Sequence, residues 1–119
     1  MAVLAELRVI PVGTSSTSLS MYVAEVLKVL EELRVRYMLT PFGTCIEVAD
    51  FSELASMLDK VCKHLRDLGI NRIVVDVAID VRFDKEISLE SKVRSVEEKM
   101  GGLKPDMNSR DHGRLYGGA

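Results

Sequence analysis

Residues 36–48 read RYMLTPFGTCIEV. Two β-prone runs, RYMLT and TCIEV, flank Pro41-Phe42-Gly43, a connection of hairpin length. This central hairpin divides the chain into two halves, and each half has the same order of elements. Upstream, Val3 to Val12 alternates apolar and polar residues and stops where Pro11 and Gly13 interrupt it, which predicts a strand. The polar stretch TSSTS follows, and its Thr17 or Ser18 can cap a helix. Leu19, Val23, Val26, Leu27, Leu30 and Leu33 then recur at helical spacing.

Downstream, Asp50 with Glu53 three residues on is a capping-box variant that starts a second helix. Its buried stripe is Leu54, Leu58, Val61, Leu65 and Leu68, and Gly69 stands where a helix C-terminus favours glycine. RIVVDVAIDVRF, from Arg72 to Phe83, is the longest strand candidate. DKEIS then leads to a third helix with Leu89, Val93, Val96 and Met100 in its stripe, closed by Gly101. The order β-α-β-β-α-β plus one helix predicts an α+β fold: a ferredoxin-like sandwich with a four-stranded antiparallel sheet and both main helices on one face. Residues 1–100 are read as one domain. Five of the eight glycines fall within residues 101–119, which lack apolar periodicity and are expected to be a flexible tail. The alternative is an arm that orders against a partner subunit, with Leu115 and Tyr116 as anchors.

Composition narrows the function classes. The chain has 119 residues, 47% hydrophobic and 29% charged, as a globular protein does. Its 18 acidic and 16 basic residues leave a net charge of −2, which argues against nucleic-acid binding through a broad basic face. No apolar run reaches the roughly 18 residues of a membrane span. MAVLAELRVIPV has no basic flank of the kind a signal peptide carries, so the cytoplasm is the expected location. Cys45 and Cys62 are expected to be inert core thiols. His64 and His112 lack neighbouring ligands at zinc spacing, so no metal is expected.

Strand parity sorts the side chains into two sheet faces. Val3, Ala5, Leu7 and Val9, with Thr44, Ile46 and Val48 and the set Ile73, Val75, Val77, Ile79 and Val81, face the helices. Residues 37–40 are ambiguous: Tyr37 with Leu39, or Met38 with Thr40, can face either way. Glu6, Glu47 and Asp76 fall on the other face, the one expected to have no helices, with Arg8 and Arg72 nearby. A polar face is what such a sheet presents to water. Yet Leu4, Ile10, Val74 and Ala78 share this face, which suits packing against a second sheet, and a face-to-face homodimer or larger assembly is expected.

Catalytic signatures are weak. GTSSTS can offer helix N–H groups to an anion, but lacks the second glycine and the lysine of a phosphate loop, and capping explains it more simply. No histidine lies in register to activate a serine. Arg82, Asp84 and Lys85 read as a solvated turn with local ion pairs.

The strings ELRVIPVGT, YMLTPFGTCIEV, RIVVDVAIDVRFDK and SKVRSVEEKM together resemble the small ferredoxin-like thiamine-binding family, from about Ala5 to Met100. The resemblance implies dimers formed through the sheets, often paired into tetramers. It also implies binding of thiamine or a related pyrimidine rather than a reaction, with no cofactor required. It carries a ligand role onto Glu47, Thr44, Thr40 and Pro41, and more weakly onto Glu6 and the segment from Ser18 to Ser20. Phe42 stands where many relatives have methionine. A carboxylate can pair with an aminopyrimidine edge, and Tyr22, Tyr37 or Phe42 could stack on a ring, favouring a cation. Three readings follow: a non-catalytic carrier, buffer or sensor; an oligomeric structural or regulatory module with a small-molecule site at the subunit interface; and an enzyme on a thiamine-pathway compound using Glu6 and Glu47 as acid and base.

Overall fold

Apolar residues at alternate positions make β1 (Val3–Pro11) a strand whose Val3, Ala5 and Leu7 are buried. It lies at the centre of the computed structural model, which describes residues 1–101 and 115–116. Then come α1 (Ser20–Glu32), β2 (Arg36–Leu39), β3 (Thr44–Val48), α2 (Phe51–Asp67), β4 (Ile73–Val81) and α3 (Leu89–Lys99), and finally β5 (Leu115–Tyr116). All strand pairings are antiparallel, in the order β4-β1-β3-β2-β5. The first four strands give the expected ferredoxin-like arrangement. Leu115 and Tyr116, read as possible anchors on a partner subunit, form β5, which pairs with Met38 and Tyr37 of this chain's β2. The rest of the expected tail, 102–114 and 117–119, lies outside the described residues.

Helices α1 and α2 cover one sheet face. Val26, Val29 and Leu30 of α1 and Leu54, Met57, Val61 and Leu65 of α2 close a core over Val3, Ala5, Leu7, Tyr37, Ile46 and Val48. Each fully buried side chain of this size contributes about 1.5–3 kcal/mol by leaving water. Tyr37 therefore faces the helices and Met38 the opposite side, which resolves the ambiguity in β2. Asp50 caps α2 by accepting the Glu53 N–H at 2.8 Å, and the Glu53 carboxylate accepts the Ala49 N–H at 2.8 Å. The cap expected from Thr17 or Ser18 does not form: α1 begins after Leu19, with no side-chain cap. Arg34 takes a left-handed φ of 56°, which lets the Val35 N–H reach the Leu30 carbonyl at 3.0 Å and closes α1 as a Schellman turn.

Two expectations are corrected. Ile79, assigned to the helix-covered face, is 45% exposed, because β4 is an edge strand that α1 and α2 cover only in part. The opposite face is not free of helices either. Leu89 and Ile87 pack on Leu4 there, against Met38 and Cys45, so the N-terminal end of α3 lies across the face read as open. Of the α3 stripe only Leu89 is buried, while Val93, Val96 and Met100 stay exposed.

Candidate functional site

The β1–β3 ladder ends at Leu7↔Thr44, but β1 continues to Pro11 paired with β4 alone. One edge of β1 therefore opens beside the β2–β3 turn. There the first turns of α1 cross the sheet, and a cleft of about 600 Å³ forms on the helix-covered side. That volume is in the range of small-molecule sites. Leu7, Val9, Val23 and Leu27 form its apolar walls, and Leu19, Leu39 and Phe42 surround its mouth.

The turn at the mouth holds itself together. The Thr40 hydroxyl donates to the Gly43 carbonyl at 2.8 Å and accepts the Gly43 N–H at 3.1 Å, while the Thr40 N–H donates to the Gly43 carbonyl at 2.9 Å. Gly43 is needed for close approach: a Cβ there would lie 3.0 Å from Glu6 Cγ and 3.1 Å from the Leu7 carbonyl oxygen. Thr44 follows at the base of the turn and is only 5% exposed. Among the described residues its hydroxyl has no hydrogen-bond partner, and it lines the cleft. The hydroxyl opens to the cleft, where a ligand or water can reach it.

The structure divides the sequence-predicted residues. Thr40, Pro41, Thr44 and Ser20 line the cleft. Ser18 lies just before it, its hydroxyl 3.1 Å from that of Ser20. Tyr22 is half-buried against the main core. Tyr37 is buried, and its hydroxyl donates to Glu31 at 2.7 Å, at the end of α1 away from the cleft. Glu6 lies on the far face behind Gly43 and pairs with Arg8 at 3.1 Å.

Glu47 is also on the far face, but the expected open surroundings are absent. Its Oε1 accepts the Leu89 N–H at the start of α3 at 2.9 Å, and its Oε2 lies 3.8 Å from Arg36 Nε. Arg36 bridges onward to Glu90. A carboxylate at a helix N-terminus satisfies a free N–H and favours the helix dipole. Cys45 sits beside these groups, and burial, reinforced by the Glu6 charge, pushes its thiol pKa up. Both cysteines are half-buried free thiols.

Two of the strings that suggested thiamine, ELRVIPVGT and YMLTPFGTCIEV, supply residues that line the cleft. A profile described as thiamine-binding protein matches residues 5–97. The chain belongs to the thiamine-binding protein family. A UPF0045 protein of Methanothermobacter thermautotrophicus is 42% identical over 96 residues, covering 81% of this chain and 97% of the relative. A UPF0045 protein of Bacillus subtilis is 37% identical over 101 residues, covering 82% and 96%. Among solved structures, a Methanocaldococcus jannaschii protein superposes with a TM-score of 0.70 at 29% identity, covering 86% of this chain and 98% of its own. A Thermotoga maritima protein, whose name assigns it provisionally to thiamine biosynthesis or salvage, has a TM-score of 0.69 at 20% identity, covering 81% and 99%, and so shares the fold.

The sequence reading did not foresee a cleft on the helix-covered side. The available signal was Leu19, Leu39 and Phe42, apolar residues at element ends that no core stripe absorbs. The Arg36–Glu47–Glu90 cluster was also missed, because its members are far apart in sequence and α3 brings them together. Among the described residues no three of His, Cys, Asp and Glu converge as a metal site would require, and no helix is long and apolar enough to cross a membrane. His112 lies outside the described residues.

Proposed function

We propose that this protein binds thiamine or a related pyrimidine compound in the cleft without transforming it, as a carrier, buffer or sensor. The observation that carries the reading is the Thr44 hydroxyl, which has no hydrogen-bond partner among the described residues and lines a largely apolar cleft whose other polar side chains are Arg8, Ser20 and Thr40. An aminopyrimidine supplies both donors and acceptors to such a group, and the β1 edge beyond Leu7 offers main-chain partners beside it. The charged thiazolium would stay at the mouth. No carboxylate lines the cleft, and a cation desolvated without a partner is costly. The polar side chains of the lining are Arg8, Ser20, Thr40 and Thr44, with no Asp, Glu, His, Cys, Lys or Tyr to serve as general base or to activate a hydroxyl, which favours binding over the enzyme reading.

Calorimetric titration with thiamine tests the proposal. We expect saturable one-to-one binding, weakened about tenfold in Thr44→Val and changed by less than about twofold in Glu47→Gln. No heat and no thermal shift at millimolar thiamine would remove the ligand. Thiamine turnover detected by chromatography would replace the carrier with an enzyme. We propose further that copies associate into dimers or tetramers through what α3 leaves uncovered of the far face. Val74 is exposed on β4 there and Val93 and Val96 are exposed on α3 itself, and a strict monomer by light scattering would end that idea.

A further inference from the structure

Phe42 is 85% exposed, yet it lines the cleft. Its neighbours at the mouth, Leu19 at 42% and Leu39 at 40%, come from the start of α1 and the end of β2. Single exposed apolar residues are common on any surface, whereas three around one cavity form a rim. The turn that presents Phe42 is stiff, because the Thr40 hydroxyl is used both as donor and as acceptor within it. The Phe42 N–H also points to that oxygen, at 3.4 Å. Thr40 therefore has no hydroxyl capacity to spare for a ligand. Gly43 seats the turn against Glu6 and the Leu7 carbonyl, where a side chain would be crowded. These features hold an aromatic ring in water at the entrance of a largely apolar cleft, whose one charged lining residue is Arg8.

We infer that Phe42 is a ring clamp that stacks on a planar, electron-poor heteroaromatic ring held at the cleft mouth, with Thr40 as its positioning residue. The inference rests on the ligand reading above and adds a specificity determinant to it. An aromatic face attracts a cation or an electron-poor ring, and the preference is strongest for a ring bearing positive charge. A ligand with its neutral pyrimidine near Thr44 would place its cationic ring against Phe42. Thr40, carried over by resemblance as a ligand contact, then acts through the turn.

The test is calorimetry of wild type, Phe42→Ala, Phe42→Leu, Phe42→Trp, Thr40→Val and Thr40→Ser with two probes, thiamine and its neutral hydroxymethylpyrimidine fragment. Phe42→Ala should weaken thiamine about tenfold and the fragment less than twofold, with an unchanged melting temperature. Phe42→Leu should fall between, and Phe42→Trp should bind as wild type with its fluorescence quenched by thiamine. Thr40→Val should reproduce part of the loss and Thr40→Ser should restore it. Wild-type-like thiamine binding by Phe42→Ala overturns the clamp while leaving the binding site in place. Equal losses for both probes would make Phe42 a general wall rather than a clamp. No thiamine binding by wild type overturns both readings together.

Discussion

Thr44 and Glu47 stand three residues apart on one five-residue strand, yet they serve different sides of the molecule. Thr44 faces the helices and lines a cleft where its hydroxyl has no partner among the described residues. Glu47 faces away, and its carboxylate is taken up by α3 and Arg36. The contrast follows from the pleat, which sends residues an odd number of positions apart to opposite faces. Its lesson is that a motif contiguous in sequence need not be one site. TCIEV supplies a cleft-lining hydroxyl to one face and a helix anchor to the other.

The strongest way to break this division is to undock α3. Leu89→Ala removes the one buried side chain of that helix and should cost about 2–4 kcal/mol locally. Hydrogen exchange should show lost protection in Leu89–Lys99 while α1 and α2 keep theirs. Cys45, packed beneath Leu89 with its thiol pKa raised, should react faster with iodoacetamide in the variant. Loss of protection throughout the chain would mean that α3 and the main core unfold as one unit, and the two faces would not be separable.

A smaller effect isolates the anchor itself. Glu47→Gln weakens the hydrogen bond to the Leu89 N–H and leaves Arg36 with Glu90 alone, which should cost about 1–2 kcal/mol by chemical denaturation. Thiamine affinity should hardly move, since the cleft is on the other side. A large loss of affinity with unchanged stability would return Glu47 to the ligand and merge the two regions.

The smallest effect concerns the contact between α1, which lines the cleft, and α2 beside it. Glu25 of α1 accepts a hydrogen bond from His64 of α2, 3.0 Å away, and another from Lys28; these hold its carboxyl below its ordinary value of 4.5. A carboxyl depressed in the folded state stabilises above its unfolded pKa, and that stability is lost as pH falls through the folded value. Thermal melts should therefore lose stability below about pH 4.5, with the loss shallower in Glu25→Gln. Parallel curves for the two proteins would show that this pair does not tie α1 to α2.

Much of the fold was legible because its signals are local and periodic. Alternation marked β1 and β4, the Asp50–Glu53 pair marked the start of α2, and Pro41-Phe42-Gly43 marked the hairpin. The α1 cap differs because Ser18 and Thr17 have the right chemistry but lie one and two residues before Leu19, the cap position of the turn that forms. Of the site, Thr40, Pro41 and Thr44 were legible through their motif, and Ser20 through its neighbours. The cleft walls were not, since Leu7, Val9, Val23 and Leu27 read as ordinary core and only the early end of the β1–β3 ladder leaves them with a cavity.

By itself, the sequence determined the order of strands and helices, the antiparallel pairing and the faces of β1, β3 and β4, because these depend on spacing along one chain. The faces of β2 came only from its packing. Only the tertiary structure decided where α3 lies, what holds Glu47, and which side carries the cleft. Those depend on how far a ladder runs and on which distant backbone N–H meets a carboxylate. Such contacts link positions like 47 and 89, whose separation leaves no periodic trace for the sequence to show.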